Sequence, residues 1–187
     1  GVGATTPFGL GTKYHHQSLV RYAATRSQVV GFDIAASLGA KLTDSISIGA
    51  GFDALRLGFT LNNIYGPPLS FPDAGLENHL SGWGYGWHAG VLFDLLPTTR
   101  LGASFNSGIT LDTHGHSSFF PPAGGELGTN EQFTRGNLPA RAQLSVQHDI
   151  TSRWAAMGSV FYTHWQVFKE LTMTNTMTPM GFPISVT

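Results

Sequence analysis

The sequence predicts an all-β protein and, within that class, an antiparallel transmembrane β-barrel of the outer-membrane type. Apolar residues alternate with small or polar ones over stretches longer than the five or six residues usual for strands of soluble sheets. Only 11% of the 187 residues are charged, whereas soluble domains average about 25%. Short and long connections alternate along the chain, as they do in barrels that have tight turns at one membrane face and longer loops at the other.

Composition excludes several classes of protein. The formal net charge of -1 provides no electrostatic basis for binding nucleic acid. The absence of cysteine excludes disulfides, thiolate metal sites and cysteine nucleophiles. No run of about 18 uncharged apolar residues predicts a membrane-spanning helix.

The first two long strands are predicted at residues 28–42 and from residue 46 onward. In the first strand every even position is apolar, from Val30 to Leu42. In the second, even positions are apolar up to Ala54, after which the apolar residues move to odd positions. These residues are Leu55, Leu57, Phe59 and Leu61. Either a bulge shifts the register there or the inner face becomes apolar, so that these side chains line a lumen.

Four further strands are predicted at 82–95, 100–113, 140–150 and 154–163, with a stub at 1–6. In the 100–113 strand a single apolar face is expected to include both Phe105 and Leu111. Aromatic residues concentrated toward strand ends predict interfacial girdles. They are Trp83, Tyr85, Trp87, Trp154, Tyr162 and Trp165.

Tight connections are predicted near 43, 97–99 and 151–152, and long ones at 7–25, 62–80 and 114–137. The long connections hold apolar residues such as Ile64 and Phe71, which either bind a ligand at the barrel mouth or pack against other loops. Six strands and a stub are fewer than the roughly eight of the smallest usual barrels. We therefore expect residues 1–187 to form a single partial barrel domain, an internal fragment of a larger one.

Arg141 is predicted to face inward near the outer end of its strand, and two roles are open for it. Its guanidinium could anchor a ligand carboxylate, or it could form a salt bridge with Asp112 or Asp94. The histidine pairs at 15–16 and 114–116 lack carboxylates at ligand spacing and do not predict a metal site. His148 and His164 have no serine placed beside them for hydrolysis, and no cofactor motif is present.

Four segments resemble one protein family: residues 4–10 with Tyr14, residues 80–92, residues 137–139 and residues 162–165. They are similar, in order and spacing, to the FadL/TodX (OMPP1) family of outer-membrane transporters of long-chain fatty acids and hydrocarbons. The most specific segment is the Trp-Gly-Tyr-Gly-Trp run that starts at Trp83. The resemblance covers nearly the whole chain.

The resemblance implies a bacterial outer-membrane protein that is not an enzyme and that needs no cofactor. It implies passive transport of hydrophobic molecules, above all long-chain fatty acids or otherwise hydrocarbons, in contact with outer-membrane lipids and without a nucleic-acid partner. In the family a plug called the hatch fills the barrel, and ligands leave sideways at a strand kink. The hatch and the terminal strands are expected to be missing from this chain. The kink falls on Pro7, Phe8, Gly9 and Leu10.

Four glycines on one predicted inward face either give the hatch or a ligand room to approach or relieve strand curvature. They are Gly82, Gly84, Gly86 and Gly90. Two departures from the family pattern matter. The 62–80 connection is short, and residues 57–63 lack the cation that holds a fatty acid carboxylate in the family, which suggests a less charged ligand. The alternatives from other classes are a barrel enzyme that acts on lipids and a structural or adhesin barrel.

Overall fold

A computed structural model describes residues 1–7, 9–66, 73–167, 172–176, 178 and 184–186. Within this part of the chain, twelve strands form one antiparallel sheet. They are β1 (Val2–Thr5), β2 (Gly9–Lys13), β3 (Arg26–Lys41), β4 (Ile46–Tyr65), β5 (Ala74–Leu96), β6 (Thr99–Asn106), β7 (Ile109–Phe120), β8 (Gly128–Leu138), β9 (Arg141–Thr151), β10 (Trp154–Thr163), β11 (Met173–Thr176) and β12 (Ile184–Val186). A short 3-10 helix, Trp165–Val167, follows β10.

Several strands lie end to end in pairs, and we call each such pair a row of the sheet. β1 and β2 both pair with β3, and β6 and β7 both pair with β5. The next row contains β9, paired with β6, and β8, paired with β7. β10 and β11 continue the pattern on β9 and β8. The central strands β3, β4 and β5 are continuous, whereas the rows around them are interrupted.

The register of β4 settles how its apolar residues are oriented. β4 pairs with β3 from Asn62 to Ser47 and with β5 along its full length, without a shift in either ladder. The bulge considered for residue 55 is therefore absent, and Leu55 and Leu57 lie on the same face as Asp53. We call this side of the sheet the inner face. The opposite side, which carries Phe52 and Tyr85, is the outer face.

A bulge does occur between β6 and β7, where the sequence predicted an uninterrupted strand. Asn106 pairs with His88 and Leu111 pairs with Gly84, so five steps along this row match four along β5. One inserted residue moves the following side chains to the other face. Leu111 therefore lies on the inner face, and the prediction that it shares an outer apolar face with Phe105 is wrong.

The hairpins are longer than predicted. β4 continues to Tyr65, β5 begins at Ala74, and the 114–137 segment is mostly β7 and β8. The outer face carries polar residues in these extensions, where Asn62 and Glu77 pair, so apolar alternation no longer marks the strands. The predicted tight turns near 43, 97–99 and 151–152 are confirmed, because strands resume at once on either side of them.

The outer face exposes large apolar side chains. Phe52 and Tyr85 stack with their ring centroids 5.8 Å apart, and Trp87 packs on Phe105 at 5.3 Å, yet all four remain more than a third exposed. Such a surface is typical of strands that face lipid. No helix in the part of the chain that the structure describes is long and apolar enough to span a membrane.

Candidate functional site

The cluster of buried apolar side chains in the described structure lies on the inner face. Leu55 and Leu57 are each 1% exposed and Leu111 is 2% exposed. Because β4 and β7 both border β5, these side chains meet across it. Four partly buried side chains pack against them: Val29, Phe59, Ile109 and Leu138. We call these seven residues the apolar cluster.

The inward glycines of β5 make room for this cluster. A Cβ on Gly84 would lie 2.5 Å from Cγ2 of Ile109, and one on Gly86 would lie 2.8 Å from Cγ1 of the same residue. A Cβ on Gly82 would meet the backbone of Asp112, and one on Gly90 would be 3.2 Å from the carbonyl oxygen of Ala103. Among the described residues, these glycines therefore allow the neighbouring strands of the sheet to approach β5 closely.

A polar network lies beside the cluster on the same face. Nε2 of His88 is 2.8 Å from Oγ of Ser37, and Nδ1 of His88 is 2.9 Å from both carboxylate oxygens of Asp53. Ser37, Gly51 and His88 are register partners, and a Cβ on Gly51 would collide with the His88 ring. The ring therefore lies across the glycine and reaches Ser37.

The network has the order of a hydrolytic triad, but its setting differs from that of a hydrolase. Such enzymes need backbone N–H groups that are free to bind an oxyanion. Ser37 lies inside β3, and its own N–H donates to the carbonyl of Gly1 at 2.9 Å. The contacts instead fix the orientation of His88. Sequence reasoning missed this group, although a histidine opposite Gly51 on a glycine-rich face was a readable signal.

Between the cluster and the network lies a cavity of 220 Å³, which we call the waist cavity. Its apolar lining comprises Leu55, Ile109, Leu138, Pro7, Pro139 and Trp165, and its polar lining comprises Asp33, Asp53, Asn106, Ser107, Arg141 and Thr163. Pro7, Ser107, Pro139 and Trp165 are the points at which the rows of strands are interrupted. The cavity therefore forms where the regular sheet breaks.

The structure brings together only some of the predicted site residues. Leu55 and Arg141 line the waist cavity, Leu57 and Phe59 belong to the apolar cluster, and Leu61 is half-buried on the same face. Ile64 lies near the end of β4, remote from the cavity lining. Phe71 lies outside the described residues.

Arg141 does not form the salt bridge that was considered for it. Asp112 pairs with Arg135 at 3.3 Å and Asp94 pairs with Arg100 at 2.9 Å. In the described residues Arg141 has no ion-pair partner, and its guanidinium carbon lies 5.9 Å from the centroid of the Phe161 ring. Its charge therefore remains available at the cavity.

The predicted kink is described on both sides of Phe8, which itself lies outside the described residues. Pro7 lines the waist cavity. Thr5 pairs with Asp33 and Gly9 pairs with Val30. The chain therefore advances four residues along the row of β1 and β2 while β3 advances three. Gly9 and Leu10 already belong to β2 and pair with β3, so among the described residues the interruption falls on Thr6 and Pro7.

Comparison with known proteins identifies the family. A family model described as "Outer membrane protein transport protein (OMPP1/FadL/TodX)" matches residues 1–182. The chain belongs to this family. It is 28% identical over 206 residues to a long-chain fatty acid transport protein of Escherichia coli O6:H1, covering 91% of this chain and 46% of that protein. It is 22% identical to outer membrane protein P1 of Haemophilus influenzae, covering 91% and 43%.

Two solved structures share the fold. A Pseudomonas aeruginosa FadL homologue superposes with a TM-score of 0.82 at 19% identity, over 99% of this chain and 49% of that one. The Ralstonia pickettii toluene transporter TbuX superposes with a TM-score of 0.84 at 16% identity, over 99% and 56%. The predicted antiparallel outer-membrane barrel fold is confirmed, and the chain spans about half the length of the relatives that it matches.

Family membership also confirms the predicted bacterial outer-membrane location. The proteins of this family are transport proteins, in agreement with the prediction that the chain is not an enzyme. The relatives named above are a fatty acid transporter, an outer-membrane protein and a toluene transporter.

Proposed function

We propose that this chain forms part of the wall of an outer-membrane channel through which hydrophobic molecules diffuse passively down their gradient. The apolar cluster carries this proposal, because it lies on the inner face of a sheet whose outer face is also apolar. A soluble barrel would have one such face, and a water-filled pore would have a polar interior. Long-chain fatty acids and hydrocarbons are both candidate ligands.

Binding and release follow from simple transfer energetics. Each methylene group that leaves water for an apolar lining contributes about 0.8 kcal/mol. A short apolar layer such as Leu55, Leu57 and Phe59 can hold part of a chain firmly enough to draw it in, without retaining the whole molecule. Transport of this kind requires neither a nucleophile nor a general base.

The route that we propose enters through the long hairpins, passes the apolar cluster and the waist cavity, and leaves sideways at residues 7–10. Support for the exit comes from the interrupted pairing of the first row with β3 and from Pro7, which has no N–H to donate to a ladder. The remaining wall of the barrel would come from strands beyond this sheet, because a sheet in lipid cannot leave its edges unpaired.

The test is a double substitution in the native outer-membrane protein that carries this chain. Leu57→Asp with Phe59→Asp places two charges in the apolar cluster, and we expect uptake of a labelled long-chain fatty acid and of labelled toluene to fall at least about tenfold. The reason is that a tail would then desolvate carboxylates as it passes. Uptake is measured in cells, and folding is checked by the β-sheet signal in circular dichroism.

The matched control adds the same two charges elsewhere on the inner face. The control is the double substitution Gln143→Asp with Gln147→Asp. Both positions are on β9, outside the apolar cluster. We expect this control to fold and to take up both ligands almost normally. Unchanged uptake by the folded Leu57/Phe59 variant would remove the apolar cluster from the transport route.

A further inference from the structure

We infer that the waist cavity selects hydrophobic ligands whose polar end is a neutral hydroxyl group and discriminates against carboxylates. This inference rests on the proposed function and specifies the ligand class of the same channel. Its basis is an unpaired acceptor and an unpaired donor that line one cavity, half of whose lining residues are apolar.

The acceptor is Asp33. Its Oδ1 atom is buried and has no hydrogen-bond partner among the described residues. The neighbouring carboxylate, Asp53, differs because both of its oxygens lie 2.9 Å from Nδ1 of His88. Asp33 also lines the waist cavity, and no described residue donates a hydrogen bond to its carboxylate, so a ligand O–H group in the cavity can donate to the oxygen that it reaches there.

The donor is Arg141. It lines the same cavity, and among the described residues its only close partner is the face of Phe161, at 5.9 Å. A hydroxyl group can donate one hydrogen bond and accept another at the same oxygen. A hydroxyl in the cavity can therefore donate to Asp33 and accept from Arg141, which neither an ether nor a hydrocarbon can do.

A carboxylate fits the same place poorly. It can only accept hydrogen bonds, so it leaves Asp33 unsatisfied. It would also bring a third carboxyl group into a cavity that already contains Asp33 and Asp53, with Arg141 as the only cation among the described lining residues. Residues 57–63 add no cation. The lining therefore favours a neutral head group.

The size of the cavity indicates which part of a ligand it holds. An apolar cavity of about 150 Å³ accepts benzene, and the waist cavity measures 220 Å³. One aromatic ring with two small substituents, or a short end of an alkyl chain, fills such a space. Leu55, Ile109 and Leu138 supply the apolar surface for the ring.

The experiment compares probes that share one skeleton and differ in their polar end. Toluene, 4-methylphenol, 4-methylanisole and 4-methylbenzoate are titrated calorimetrically, at neutral pH, into the native outer-membrane protein that carries this chain. We expect 4-methylphenol to bind about tenfold or more tightly than 4-methylanisole, because only the phenol donates a hydrogen bond to Asp33. We expect 4-methylbenzoate to bind most weakly.

Two variants assign the effect to Asp33. Asp33→Leu should remove the advantage of the phenol over the anisole, and Asp33→Asn should improve binding of 4-methylbenzoate because it removes one negative charge. The matched control is Asp149→Leu. Asp149 is on β9 outside the waist cavity and accepts a hydrogen bond from Gln147. The control should leave the order of the four probes unchanged.

The possible outcomes separate this inference from the proposed function. If all four probes bind within about twofold of one another, or if 4-methylbenzoate binds best, selection for a hydroxyl is overturned while a hydrophobic binding site stands. If toluene and the other probes all fail to bind the folded protein, the proposed binding route is overturned as well. The expected order, abolished by Asp33→Leu but not by Asp149→Leu, supports both.

Discussion

The apolar cluster and the polar network occupy adjacent stretches of one face, on the same central strands. On β4, Asp53 belongs to the network, and Leu55, the next inner-face residue, belongs to the cluster. The outer face changes in the opposite sense one step later, from the apolar Phe52 and Ala54 to Arg56. Polarity on the inner face therefore changes with position along β4.

The two regions are stabilised by different means. The cluster depends on close packing, with its central leucines at most 2% exposed. The network depends on hydrogen bonds of 2.8 to 2.9 Å in a more open part of the face. Loss of volume should therefore destabilise the cluster most, whereas loss of a donor or acceptor should affect the network.

The largest effect is expected from Leu111→Ala, which removes volume from the centre of the cluster. Substitutions of this kind in packed interiors typically cost about 2–5 kcal/mol. The measurement is urea unfolding of the protein in lipid vesicles, followed by tryptophan fluorescence. The control is Leu101→Ala, which lies on the outer face of the same row and is 38% exposed.

We expect a smaller loss for the control, because lipid chains can fill the space that Leu101 vacates. Leu101 and Leu111 are both at odd positions, so an unbroken strand would place them on the same face. Equal losses for the two variants would therefore contradict the bulge between β6 and β7 as well as the position of the cluster.

A somewhat smaller effect is expected when volume is added instead. Gly84→Val would place a side chain where Ile109 and Leu111 already lie, and overpacking of this kind costs about 1–3 kcal/mol. Gly136→Val is the matched control on β8, since a Cβ there meets no atom within 4 Å. The same unfolding measurement applies, and a Gly84→Val variant as stable as the control would show that β7 is not held against β5 by the glycine.

These two predictions also show what the sequence could reveal. Period-two alternation identified the central strands, and the unshifted register of β4 places Leu55 on the same face as Asp53. The bulge before Leu111 escaped detection because one inserted residue leaves the odd-numbered apolar pattern intact while it reverses the faces. The sequence pattern alone therefore cannot distinguish Phe105 from Leu111.

The waist cavity was unpredictable for a different reason. Its lining comes from segments as distant in sequence as Pro7, Asp53 and Trp165. Only the curvature of the sheet and the interruptions of its rows bring them together. Arg141 was singled out as an inward cation, but Asp33 was not, because an aspartate on a small and polar face carries no mark of burial in the sequence.

The smallest effect is expected in the polar network. Ser37→Ala removes the hydroxyl that lies 2.8 Å from His88, and a single hydrogen bond of this kind contributes about 0.5–1.5 kcal/mol. Ser104→Ala is the control, because Ser104 is also on the inner face and its hydroxyl makes no hydrogen bond to a described residue. We expect the control to unfold at almost the wild-type urea concentration. If Ser37→Ala does the same, the His88 ring is held by Asp53 alone, and the network is a pair of residues that the serine merely borders.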